Sequence, residues 1–141
     1  MKKNKLLFLT AFVIYILIVL NLTVFRLNVR YDERQLNLTP FVDLINVYKN
    51  VGIGAFMRLF FGNIGWFIPF GFLLSVFENK KSLLKTIVAG MIFSLIIETL
   101  QFVLYKGVAE LDDLILNTLG TALGYCLSKK ISPRVVDGSD A

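Results

Sequence analysis

The sequence predicts an all-α integral membrane protein with four transmembrane helices and an external amphipathic segment, interfacial or re-entrant. Three observations lead there. Of 141 residues, 56% are hydrophobic and only 18% are charged, too little polar surface for a soluble domain of this size. Several apolar runs approach, at about 1.5 Å per residue, the roughly 30 Å of a hydrocarbon core. The basic residues gather mainly at the ends of those runs.

The first run, residues 6–25, follows Lys2, Lys3 and Lys5. It exceeds the apolar core of a signal peptide, about 7–15 residues, and no small-x-small cleavage site follows it. It reads as an uncleaved first span with a cytoplasmic N-terminus. Residues 26–35 are polar and leave the membrane. In Leu36-Asn37-Leu38-Thr39-Pro40-Phe41, Pro40 pushes Thr39 toward an extended conformation and suits the first turn of a following helix. Phe41, Leu44, Ile45 and Tyr48 fall at i, i+3, i+4 and i+7, an amphipathic pattern that Gly52 and Gly54 interrupt. The segment is too polar and broken to span. It is expected along the outer interface or dipping into it; an ordinary surface helix fits nearly as well.

The second span is predicted over 59–77. Pro69 cannot donate to the Gly65 carbonyl, so a kink or local opening is expected, and Gly62, Gly65 and Gly71 predict close helix approach. A short basic loop with Lys80, Lys81 and Lys85 follows. The third span, 86–105, returns outward. The fourth is predicted over 111–127; its apolar part from Leu114 is about 14 residues, roughly 21 Å, short for a span. Lys129, Lys130 and Arg134 come next, and 132–141 reads as a disordered tail. Residues 1–131 form one domain without repeats. Both termini are expected in the cytoplasm, since that places most of the 15 basic residues in short inner segments.

Glu98 is the anomaly, the one acid inside the third span. Such an acid is costly and marks an interior site or a partner. Gln101 stands at i+3 on the same face. Asn63 lies about one turn into the second span, and Asp113 and Asn117 open the fourth. Asp113, Asn117, Gly120 or Thr121, and Gly124 share one helical face, with Gly120 and Gly124 as a small-xxx-small pair. Arg34 and Asn37 precede the interfacial segment. Under the four-span topology these groups share the outer leaflet half, which predicts a polar chamber open to the exterior. A plainer reading makes Glu98 packing glue bonded to Gln101 or a neighbouring helix, and Asp112 and Asp113 first-turn acids favoured by the helix dipole.

Composition narrows the chemistry. With no histidine and one cysteine, Cys126, the chain offers no Ser-His or Cys-His nucleophile pair, no intramolecular disulfide and no metal-ligand cluster. No cofactor or metal is expected. The net charge of +5 sits at span ends, so anionic lipid headgroups explain it better than nucleic acid.

Arg34 with Leu36–Phe41, then Asn63-Ile-Gly-Trp-Phe-Ile-Pro69-Phe70-Gly71, then Glu98-x-x-Gln101, then Asp113-x-x-x-Asn117-x-x-Gly120 resemble, in order and spacing, the VanZ-like membrane proteins. The match covers about residues 34–124. The chain departs where the family often has Asp (Glu110) and sometimes Arg (Gly107). The resemblance implies a bacterial plasma-membrane protein associated with teicoplanin resistance.

The leading reading is a non-catalytic envelope factor whose outer-leaflet pocket engages a lipid or a lipid-linked cell-wall component. Arg34 would contact an anionic group; Asn37, Asn63, Gln101 and Asn117 would orient it; Glu98 and Asp113 would supply acid partners. One alternative is a membrane enzyme using Glu98 and Asp113 as acid and base, although no nucleophile motif is visible. Another is a proton- or ion-coupled carrier, which four short helices would support only as an oligomer.

Overall fold

The computed structural model describes residues 2–25, 30–77 and 82–131. These form five helices, α1 (Lys2–Thr23), α2 (Val42–Asn50), α3 (Ile53–Phe77), α4 (Leu83–Leu104) and α5 (Leu111–Ile131). Two short strands, β1 (Gln35–Asn37) and β2 (Val108–Glu110), join them. The basic loop at Lys80 and Lys81 and the tail from residue 132, including Arg134, lie outside the described residues.

Three of the described helices, α1, α3 and α4, are long and apolar enough to cross a membrane. Their outward faces are greasy: Leu7 is 69% exposed and Leu17 60%. Apolar surface on that scale is stable against acyl chains, not water. The protein is a membrane protein.

α5 is longer than its apolar part. It has 21 residues, about 31 Å, because the acidic first turn and the turn with Lys129 and Lys130 are both helical. Acids at the N-terminal end and lysines at the C-terminal end each complement the helix dipole. α3 also starts earlier than the hydropathy predicts, at Ile53 rather than near 59. α2 gives way at Val51, and Gly52 takes a φ of 108°, which reorients the chain. The second half of the expected amphipathic segment is therefore the first part of α3.

β1 and β2 add a feature the helical expectation lacked. They pair in parallel, with Gln35 opposite Val108, Leu36 opposite Ala109 and Asn37 opposite Glu110. The Tyr31 N–H donates to the Tyr105 carbonyl at 2.9 Å just before the pair. Three residues are too few for an alternating pattern to declare itself.

α1 and α4 run one way, and α3 and α5 the other. Gln101 of α4 bonds the Thr23 carbonyl at the end of α1, while Ile64 and Ile68 of α3 meet Gly120 and Gly124 of α5 in the same order. One apolar cluster joins Val19 and Val24 to Phe67, Phe70 and Ile97; another joins Leu44 of α2 to Ile64 and Leu116.

α3 and α5 touch backbone to backbone. A Cβ at Gly120 would stand 2.2 Å from the Ile64 carbonyl oxygen, and one at Gly124 2.1 Å from that of Ile68. At Gly71 it would stand 2.0 Å from the Thr121 carbonyl oxygen. Gly62 and Gly65 correct the sequence reading: a Cβ there meets nothing within 4 Å. α3 is helical through Pro69, and the Tyr15 hydroxyl donates to the Trp66 carbonyl, next to the Gly65 carbonyl that Pro69 cannot serve.

Candidate functional site

α4 and α5 cross as antiparallel neighbours, and the residues that meet along the contact, most of them polar, recur every fourth position. Four residues is roughly one turn, so one face of each helix carries the series. Going down α4 it is Glu98, Ser94, Gly90; going along α5 it is Asp113, Asn117, Thr121. The Asn117 amide donates to the Ser94 hydroxyl at 2.9 Å, and both side chains are buried. One turn further, the Thr121 side chain fills the space a Cβ at Gly90 would need. One turn the other way, Glu98 and Asp113 are close enough to repel.

Glu98 is 6% exposed and finds its partner in the backbone. Its Oε2 accepts the Glu110 N–H at 2.9 Å, so β2 is fastened to α4 by a carboxylate. Asp113 accepts a bond from the Asn63 amide, which ties α3 to the first turn of α5. Asp112, 3% exposed, reaches back with Oδ1 to the Phe41 N–H at 2.6 Å. That bond holds Phe41 at a φ of 62°, in the left-handed region, where the chain turns into α2. Asn37 accepts from the Thr39 N–H at 3.0 Å and donates to Asp43.

Beside Glu98 lies a cleft of about 260 Å³. Leu95, Thr99 and Phe102 of α4 form one wall; Leu111 and Leu114 of α5 form the other; Leu36, Leu38 and Ala109 close the end. Glu98 and Glu110 are the ionisable residues in this lining. Apolar walls with a few convergent polar groups are the usual make-up of a ligand pocket.

Outside the helices, the Glu110 carboxyl is pushed up to about 7. Burial is the main cause, followed by repulsion from Asp113, then Asp43 and Asp112.

The structure thus brings Glu98, Asp113 and Asn63 together, with Asn117 one turn deeper. Gln101 turns away, donating to the Thr23 carbonyl at 3.1 Å. Arg34 lies at the rim, its guanidinium 5.5 Å from the Phe102 ring centre and 5.2 Å from that of Tyr105. Asn37 braces a turn and faces Glu110 across the strand pair. Sequence reasoning missed Ser94 and Asp43. Ser94 was detectable, because it sits one turn from Glu98; Asp43 gives no comparable signal.

The VanZ/LLP1 family model matches residues 12–132. Protein VanZ of Enterococcus faecium is 36% identical over 103 residues, which cover 71% of this chain. The chain spans 58% of that relative's length. No solved structure matches. With the family model covering most of its length, the chain belongs to the VanZ/LLP1 family.

Proposed function

We propose that this protein crosses the bacterial plasma membrane four times, with both termini cytoplasmic. In the outer leaflet half, the cleft beside Glu98 engages a lipid or a lipid-linked cell-wall component. The activity raises tolerance to teicoplanin and related lipoglycopeptides, as the family resemblance implies. The observation that carries this reading is a largely apolar cleft with a buried carboxylate in its wall. An apolar wall suits an acyl or polyprenyl chain, and a carboxyl there costs too much to serve packing alone.

The fourth span is α5. Its 21 residues are long enough, and its polar residues largely point into the bundle. Arg34 meets an anionic group at the rim. Glu98 and Asp113 supply acid partners, while Asn63 holds Asp113 in position, Asn117 braces α5 against α4 through Ser94, and Asn37 and Gln101 fix the surrounding chain.

Glu98→Gln and Asp113→Asn, in protein that still inserts, are expected to lower teicoplanin tolerance; unchanged tolerance in both overturns the reading. Single cysteines at Asn37 and Glu110, in a Cys126→Ser background, are expected to react with an impermeant maleimide on whole cells. A cysteine at Lys80 is expected to react only after lysis.

The gathering of Glu98, Glu110 and Asp113 favours one second reading, acid/base chemistry on an envelope lipid. Turnover of labelled envelope lipids by the purified protein, abolished by Glu98→Gln, would establish it. Unchanged lipids would exclude it.

A further inference from the structure

Two guanidiniums converge on one aromatic ring above the cleft. Arg30 stands 5.7 Å from the centre of Tyr105 and Arg34 5.2 Å from it. Both arginines are exposed, and Arg30, Tyr31, Asp32 and Tyr105 line a concavity of about 410 Å³. Among the described residues neither guanidinium is ion-paired with a carboxylate. Stacking on a ring occupies the face of a guanidinium and leaves its in-plane N–H donors available for bidentate contact with an oxyanion. Two such edges at one ring match a phosphate.

The ring itself is well held. Tyr105 ends α4 with a φ of 59°, and its carbonyl accepts the Tyr31 N–H at 2.9 Å, which draws the segment from Arg30 to Arg34 over it.

Phe102 belongs to both features. It lies 5.5 Å beneath Arg34, and it lines the cleft together with Thr99 and Leu95. Leu95, Thr99 and Phe102 fall at i, i+4 and i+7 on one face of α4, so the apolar wall descends from the arginines for about 10 Å. Anion donors at the top and an apolar wall directly below are the two halves of an amphiphile's binding site.

From this geometry we infer that the ligand is a glycerophospholipid, its phosphate clamped by Arg30 and Arg34 and one acyl chain lying along the cleft. This rests on the cleft reading of the proposed function and names its ligand class.

The test is native mass spectrometry of the full chain in detergent, offered dioleoyl phosphatidylglycerol or the neutral dioleoylglycerol. Wild type is expected to retain the phosphatidylglycerol about tenfold better, the scale of a charge-assisted contact. Arg30→Gln with Arg34→Gln, both at exposed positions, is expected to erase that preference. Leu95→Trp, which fills the cleft, is expected to reduce retention of both lipids. Equal retention by wild type, or an unchanged preference in the double variant, overturns the phosphate clamp and leaves the cleft reading standing. Retention of neither lipid overturns both. Displacement of the phosphatidylglycerol by inorganic phosphate as effectively as by more lipid overturns the lipid assignment.

Discussion

The Glu98 carboxylate in α4 accepts the backbone N–H of Glu110 at 2.9 Å, twelve residues later in the chain. An acid in a span is thus bonded to the strand that closes the cleft. Glu98→Gln keeps an acceptor oxygen for that N–H, so it should fold about as well as wild type. Glu98→Ala leaves the Glu110 N–H without its partner and should cost about 1–3 kcal/mol. Thermal unfolding in detergent separates the two variants. If Glu98→Gln unfolds as readily as Glu98→Ala, the ionised carboxylate is itself structural.

The glycines divide into two sets. Gly120→Ala and Gly124→Ala place a methyl 2.2 Å and 2.1 Å from backbone oxygens of α3, which cannot move as a side chain end can. The helices must part, at a cost of about 1–3 kcal/mol each. Gly65→Ala meets nothing within 4 Å, and in mid-helix it should stabilise by roughly 0.5–1 kcal/mol. Melting temperatures should therefore fall for the first two and rise for the third. A rise at position 120 would mean that the close approach to Ile64 is not present in the membrane.

That division shows what the sequence can and cannot tell. Four residues between Gly120 and Gly124 put them on one face, and that face does meet α3. The same logic fails for Gly62 and Gly65, because spacing gives a face and not its neighbour. Helices were legible from length and hydropathy, and the acidic first turn of α5 from the dipole rule. β1 and β2 were not, since their partners lie some seventy residues apart and each strand is too short to show a period. Asn63, Glu98 and Asp113 were legible as a group because polar residues in spans are rare enough to need one another. Gln101 shows the limit of that argument: it shares a helix face sector with Glu98, yet it bonds the end of α1.

Asn117 and Ser94 form a buried pair at 2.9 Å between α5 and α4. Alanine at either position removes the bond, and alanine at 94 also leaves the Asn117 amide without this acceptor. A double-mutant cycle with Ser94→Ala and Asn117→Ala should yield a coupling of about 0.6 kcal/mol, with roughly 1.7 as the upper end for such membrane pairs. Additive losses would show that the two side chains do not meet.

Acidic pH should stabilise the fold through Glu110. Its carboxyl is pushed up from 4.5 to about 7, first by burial and then by Asp113, Asp43 and Asp112. A raised carboxyl means that the folded chain holds a proton that the unfolded chain has released. Stability from this group is therefore fully present below about pH 4.5 and is lost as pH rises through about 7. Glu110→Gln carries the neutral form's shape at every pH, so it should flatten the decline across that window while leaving the melting temperature at low pH near that of wild type. Melting curves of both proteins in detergent at closely spaced pH values measure the difference. The neighbours keep their own charges in the variant, so the difference in slope between the two proteins reports Glu110 alone. An identical slope in the two proteins would show that Glu110 is not the group that titrates.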